Sequence, residues 1–70
     1  MTFYSVYINK CENQKDLKPI QKKLNEYGFR GYVFNVGDGY ALRVAAYPNQ
    51  EQAETMRKYL AQRGFVAFIR

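Results

Sequence analysis

From Phe3 to Asn9 the chain alternates, with Tyr4, Val6 and Ile8 on one side and Phe3, Ser5 and Tyr7 on the other. A period of two predicts a strand, and the aliphatic pair Val6 and Ile8 marks its core side. A polar, turn-prone stretch from Asn9 to Gln14 follows. Leu17, Ile20, Leu24 and Tyr27 then recur at spacings of three and four, the apolar stripe of a helix. Two starts fit. A cap at Asn13 leaves Pro19 inside the hydrogen-bond ladder, whereas a cap at Asp16 puts it in the first turn, where its missing N–H costs little. The second start makes the helix regular from about Asp16 to Tyr27, with Gly28 closing it. Gly31 to Val36 reads as a second strand, with Phe29, Gly31 and Val33 inward and Tyr32, Phe34 and Val36 outward. Gly37-Asp38-Gly39 has the composition of a hairpin turn. Tyr40 to Ala46 is a third strand, Leu42 and Val44 inward and Ala41, Arg43 and Ala45 outward. Asn49 reads as a helix cap, with Gln52 completing a capping box. That helix runs to Arg63, with Ala53, Met56 and Leu60 inward and a Glu54–Lys58 pair on its wet side. Gly64 ends it. Phe65, Ala67 and Ile69 then point inward along a last strand, with Val66, Phe68 and Arg70 outward.

The phrase Leu24-Asn25-Glu26-Tyr27-Gly28-Phe29 returns as Leu60-Ala61-Gln62-Arg63-Gly64-Phe65, 36 residues on. In each copy an apolar anchor precedes by four a glycine able to take the left-handed helix stop, and an aromatic leads into the next strand. The same offset carries Tyr4 onto Tyr40, Val6 onto Leu42, Ile8 onto Val44, Asn13-Gln14 onto Asn49-Gln50, Ile20 onto Met56 and Tyr32 onto Phe68, without a gap. The chain is therefore two β-α-β units in tandem, residues 4–34 and 40–70 of a single domain. Neither unit is large enough to bury its own apolar face. Two right-handed crossovers side by side predict an α+β fold of the ferredoxin-like or RNP-like kind. Its four-stranded antiparallel sheet has the first and third strands central and both helices on one face.

Composition adds limits. Seventy residues make one small domain, which buries roughly 60% of its unfolded surface and needs an efficient core. Seven Tyr and five Phe supply large area per side chain. Cys11 stands alone, so no internal disulfide forms. No apolar run approaches the ~18 residues of a membrane span, and no charged-then-apolar leader is present. The chain is expected neither to cross a membrane nor to carry a secretory signal, any such address lying on further sequence. A net charge of +5 suits anionic partners, but Lys15, Lys18, Lys22 and Lys23 fall on the polar back of the first helix, where a solvated face explains them.

The open sheet face is where the residues ask for a function. By alternation it carries Phe3, Ser5, Tyr7, Tyr32, Phe34, Val36, Ala41, Arg43, Val66, Phe68 and Arg70. That is more aromatic surface than solubility requires. Cross-strand aromatic pairs can stabilise a thin sheet without binding anything, and a sheet-to-sheet dimer would hide the patch. A ligand that packs on rings and takes hydrogen bonds from arginine fits it as well.

The doubled strand–helix pattern ending in Leu-x3-Gly-Phe resembles the SPOR (sporulation-related repeat) domain over nearly the whole chain. The family begins each half with a motif like Val-Gln-Val-Gly-Ser-Phe or Arg-Val-x-Val-Gly-Pro-Phe, and in the second half Leu42-Arg43-Val44-Ala45-Ala46-Tyr47 stands in for it. Asn49-Gln50-Glu51-Gln52-Ala53-Glu54 resembles the usual helix start, and Arg63-Gly64-Phe65-Val66-Ala67-Phe68 the usual exit. The first half, with Val6-Tyr7-Ile8-Asn9-Lys10-Cys11, matches more loosely. The resemblance implies a bacterial cell-envelope module, in the periplasm or cell wall, that binds peptidoglycan glycan strands freed of their stem peptides at division septa. Such modules often accompany a cell-wall amidase or a division protein. Carried over by position, the family's first-strand glutamine is Tyr7, its nearby serine Lys10, its first third-strand arginine Ala41, and the next outward position Arg43. The motif glycines are replaced by Asn9 and Ala45, and Cys11 takes the place of a packing Phe. The expected glycan site is Tyr7, Lys10, Tyr32, Phe34, Arg43 and Phe68, with the rings as platform and Arg43 as orienting donor. Tyr7→Ala and Arg43→Ala are expected to weaken glycan retention while leaving the fold intact.

Two other classes use the same face. An RNA-recognition motif has this topology and stacks bases on aromatics of its central strands, but Tyr40-Ala41-Leu42-Arg43-Val44-Ala45-Ala46 lacks the aromatic signature of that strand. A protein-binding or dimerisation domain would dock the same patch, so the chain is expected as a monomer or a sheet-face dimer. No catalytic, metal or cofactor site is expected. There is no His, Ser5 is the one serine, and Cys11 has neither a His partner nor a second thiol. Asp16 reads as a cap and Asp38 as a turn residue.

Overall fold

The computed structural model describes residues 2–70. In chain order it has β1 (Tyr4–Cys11), a 3-10 turn (Gln14–Asp16), α1 (Leu17–Glu26), β2 (Tyr32–Asn35), β3 (Tyr40–Tyr47), α2 (Gln50–Gln62) and β4 (Ala67–Ile69). The strands form one antiparallel sheet in the order β2-β3-β1-β4, with β1 and β3 central as the two tandem units require. Val6, Ile8, Leu17, Leu24, Leu42, Ala53, Leu60 and Phe65 form one buried cluster between the sheet and both helices. A fully buried leucine contributes about 1.5–3 kcal/mol relative to exposure, so Leu24 and Leu60, one per repeat, anchor the helices equally.

The repeat is legible in the hydrogen bonds. Asn13 Oδ1 accepts from the Lys15 N–H at 3.0 Å, and Asn49 Oδ1 accepts from the Glu51 N–H at 2.7 Å, the same cap 36 positions apart. Asn13, not Asp16, is thus the capping side chain of the first half; Asp16 makes no cap bond. The reason is Pro19. Its ring would clash with the carbonyl four residues back, at Lys15. The chain therefore makes a 3-10 turn first and enters the regular helix at Leu17, with Pro19 in its first turn. Thr55 occupies the equivalent place in α2, which starts as a regular helix from Gln50. Both helices stop identically. Gly28 and Gly64 have φ of 88° and 90°, and the Phe29 and Phe65 N–H groups donate to the Leu24 and Leu60 carbonyls.

The two stops also pack on each other. Phe29 meets Tyr59 edge-on at 5.7 Å and Phe65 meets Tyr27 edge-on at 6.0 Å, so the aromatic after each glycine reaches the tyrosine before the other repeat's stop. The Arg63 guanidinium lies 3.3 Å from the Tyr59 ring centre. Tyr27, expected on the core stripe, is instead partly exposed. It closes this exterior cluster because the helix ends one turn after Leu24. On α2 the Glu54 carboxylate pairs with Arg57, through Nε at 2.9 Å and Nη2 at 2.5 Å, and not with Lys58. That bond holds the Glu54 carboxyl below its ordinary range.

Candidate site on the open sheet face

Two register irregularities decide which side chains reach the open face. The first is in β1. Ile8 pairs with Leu42 and Cys11 with Tyr40, so β1 advances three residues while β3 advances two. The extra residue is accommodated at Asn9, whose φ of 54° is the one positive value among the described non-glycine residues. Asparagine tolerates this conformation better than other side chains, so it serves where the resembled motif has glycine. Its Oδ1 also accepts from the Val66 N–H at 2.8 Å, joining the bulge to the chain entering β4. Beyond the bulge Cys11 packs against the core, with Sγ 3.1 Å from the Asn13 carbonyl. It is half-buried rather than fully enclosed.

The second irregularity is in β3. Val6 pairs with Ala45 and Tyr7 with Arg43, so β3 carries the extra residue at Val44. After it Ala46, not Ala45, stands opposite outward-facing Ser5.

Between the irregularities the sheet is regular, and one row crosses all four strands. Tyr32 of β2 pairs with Arg43 of β3, Arg43 with Tyr7 of β1, and Tyr7 with Phe68 of β4. Paired residues share a face, so these four side chains stand side by side on the open surface. Tyr7 stacks on Phe68 with ring centres 5.6 Å apart and planes 19° apart. It meets Phe34 edge-on at 6.3 Å, and the Arg43 guanidinium carbon is 5.4 Å from the Phe34 ring centre. Five of the six expected residues thus form one surface. Tyr32 is the most exposed of them, at 60%, and a shallow depression lined by Tyr32, Phe34, Arg43 and Ala46 lies on the β2–β3 half.

Lys10 is set apart. Its Nζ lies 2.6 Å from Asp38 Oδ1, and Asp38 belongs to the β2–β3 loop. That hydrogen bond is the main cause holding the Asp38 carboxyl below its ordinary value, with Arg70 adding to it. Arg70, beyond β4 at the opposite edge of the sheet, donates Nη1 to the Val36 carbonyl at 2.6 Å. A loop leaving β2 meets a residue that follows β4 only by lying across the face of the intervening strands. The Gly37-Asp38-Gly39 segment is therefore a strap over one corner of the open face, and more than a hairpin turn.

The strap corrects two placements. Val36 and Ala41 were expected exposed on the open face; they are 5% and 0% exposed. Neither belongs to the main core cluster. Ala41 stands opposite Phe34 on the open side, and Val36 leads into the strap with its carbonyl bonded by Arg70. Ala41, at the place of a motif arginine, touches no solvent. The signal for this was present in the sequence as an apolar Val36 directly before the glycine-rich loop.

A depression of about 800 Å³ lies elsewhere, lined by Glu12, Leu17, Lys18 and Gln21 on one side and by Val33 and Tyr40 on the other. It is an open cleft whose walls mix polar chains with Leu17, Val33 and Tyr40.

A family model of the SPOR domain matches residues 36–70, half of the 70-residue chain. The match covers the second repeat and the strap. Among solved structures, the peptidoglycan binding domain of the B. subtilis cell wall lytic enzyme CwlC superimposes with a TM-score of 0.77 and 19% sequence identity, over 97% of this chain and 86% of that one. At that identity the likeness is one of fold. No curated protein matches the chain.

Proposed function

The chain belongs to the SPOR domain family, and from that premise we propose that it is a non-catalytic module that binds the glycan strands of peptidoglycan on the open face of its sheet. The observation that carries this reading is the row Tyr32–Arg43–Tyr7–Phe68, which runs without interruption across all four strands beside Phe34. Pyranose rings offer flat C–H faces to aromatic rings, and their hydroxyls accept from a guanidinium. A row of this kind suits an extended sugar strand better than a compact ligand. The CwlC domain of like fold is described as peptidoglycan binding, which supports the same ligand class here.

Within this reading the preferred form is glycan freed of its stem peptides, as found where amidases act at division septa. The module works in the bacterial cell wall or periplasm, and an amidase or division protein is its natural companion. The strap limits the platform. Lys10 is tied to Asp38 at the covered corner, so the glycan engages Tyr32, Phe34, Arg43 and the exposed edges of Tyr7 and Phe68.

The test is sedimentation with purified sacculi before and after amidase removal of the stem peptides. Wild-type protein should pellet, and more strongly after treatment. Tyr32→Ala should reduce the pelleted fraction without altering the circular dichroism spectrum, because that side chain is exposed. Failure of the wild-type domain to pellet with either preparation refutes the reading.

A further inference from the structure

Strand β2 is an edge of the sheet, and all four of its residues are exposed. Tyr32, Val33 and Phe34 are consecutive large apolar side chains on it. From Gly31 to Gly37 the chain has no charged residue and no proline, and the register with β3 is regular. Free edges are ordinarily guarded by a charge, a proline or a bulge that turns other strands away. This one has none of the three. The opposite edge differs: each residue of β4 is half-buried, and Ala67 and Ile69 pack against the core.

The main-chain bonds show which groups the edge leaves free. The Val36 N–H donates to the Gly39 carbonyl at 2.9 Å, so Val36 faces the β3 side. Facing residues alternate along an antiparallel ladder. Phe34 and Tyr32 therefore also bond towards β3, and Val33 and Asn35 aim their N–H and C=O groups away from the sheet. Gly31 and Gly37 share that outward parity, but the chain has used the groups that would extend the window. Gln21 Nε2 donates to the Gly31 carbonyl at 2.7 Å, and the Gly37 N–H donates to Asn35 Oδ1 at 3.0 Å. What remains is a window of two residues, closed at both ends.

That window is complementary to itself. We propose that the β2 edge is a homodimer interface, in which β2 of a second copy adds antiparallel about a two-fold axis through Phe34. Val33 then lies opposite Asn35 of the second copy and Asn35 opposite its Val33, and four main-chain hydrogen bonds use every free group of the window. The next positions to meet are Gly31 and Gly37, which carry no side chain. On the helix side there is room for the added strand, since Leu42 is 0% exposed and its β2 partner Val33 is 37% exposed. Two chains of charge +5 meet on the stretch that carries none. The pairing is isologous, so it closes at two chains. Both open faces then look the same way, and Phe34 stands beside Phe34 of the second copy, joining the two aromatic rows across one eight-stranded sheet. A face-to-face dimer would bury those rows instead. The inference depends on no ligand and stands apart from the glycan reading.

The experiment is sedimentation equilibrium of the full chain from about 1 μM to about 1 mM, the range of a small, transient interface. The mass of wild type should rise with concentration from one chain towards two and stop there. Val33→Pro deletes an N–H that the β2–β3 ladder does not use, as proline on an edge strand can. It should weaken dimerisation roughly tenfold to a hundredfold, for two lost hydrogen bonds, with the circular dichroism spectrum unchanged. A second pair of variants reads the register without depending on proline. Phe34→Cys should cross-link into a covalent dimer under mild oxidation, because facing Cα atoms of a non-hydrogen-bonded pair lie about 4.5 Å apart. Tyr32→Cys, four residues out of register with its own copy, should not. A wild-type mass that stays at one chain up to about 1 mM overturns the proposal and leaves the edge to a strand of some other protein. Growth beyond two chains, a folded Val33→Pro that dimerises like wild type, or equal cross-linking of the two cysteine variants overturns it as well.

Discussion

Replacing Tyr7 with alanine tests the sheet face as a structural element as well as a binding one. The side chain is half-buried. It stacks on Phe68 at 5.6 Å and meets Phe34 edge-on at 6.3 Å. Aromatic pairs in these geometries contribute about 0.5–1.5 kcal/mol each beyond the area they bury. Two of them make about 1–3 kcal/mol, and the lost contact of the ring with its surroundings puts the cost at the upper end of that range, about 2–3 kcal/mol. A domain of this size has a total stability of roughly 4–10 kcal/mol, so the substitution removes a large share of it. In thermal unfolding the midpoint should fall by roughly 10–20 °C. The expectation that Tyr7→Ala leaves the fold untouched does not survive this geometry, and its glycan affinity has to be referred to the folded fraction. A double-mutant cycle with Phe68→Ala isolates the stacked pair and should return a coupling of about 0.5–1.5 kcal/mol. Tyr7→Phe, which keeps both ring contacts, should unfold within about 0.5 kcal/mol of wild type. A Tyr7→Ala midpoint within about 2 °C of wild type, or a coupling below about 0.3 kcal/mol, would show that the rings only lie near one another and do not stabilise the sheet.

The bulge and the strap give two further outcomes. Asn9→Gly should cost about 0.5–1.5 kcal/mol in urea unfolding, from the lost acceptor for the Val66 N–H, and Asn9→Ala about 1 kcal/mol more, from left-handed backbone strain; equal stability of the two variants would rule out the bulge as the reason for asparagine. For Asp38 the sign follows from its lowered carboxyl pKa. The contribution is present above the ordinary value of 3.8 and is lost as pH falls through the lowered folded value. Wild type should therefore exceed Asp38→Asn in stability near neutral pH at low salt, with the gap closing in strong acid. The gap is small because the carboxylate is exposed, and one that widens as pH falls contradicts the Lys10–Asp38 latch.

Repetition in the sequence carried the architecture. Asn49 as a cap, Leu24 and Leu60 as anchors, and Gly28 and Gly64 as stops all act over four or five residues, where backbone geometry alone dictates the outcome. The first helix reads instead as capped at Asp16, because Pro19 admits two starts and only the 3-10 turn after Asn13 reconciles them. Period-two alternation then placed Tyr7, Tyr32, Phe34, Arg43 and Phe68 on one face, because side-chain direction in a regular strand depends only on parity. Alternation failed where the strands are irregular. The bulge at Asn9 and the extra residue at Val44 exchange faces, and no local pattern counts the residues of a partner strand.

What the sequence by itself determined is therefore the two β-α-β units, the glycine stops of their helices, and the membership of the aromatic row. Tertiary structure alone decided how much of that row stays open to solvent. The strap is held by Arg70 on the Val36 carbonyl, 34 positions apart in the chain, and the bulge by Asn9 on Val66, 57 positions apart. Contacts at such separations exist only once the sheet has assembled, and their loop-closure cost is met by the whole fold rather than by any segment of it. With the strap in place Val36 and Ala41 are buried and Lys10 is paired with Asp38, and among the described residues Arg43 is the cation on the row whose side chain makes no hydrogen bond or ion pair.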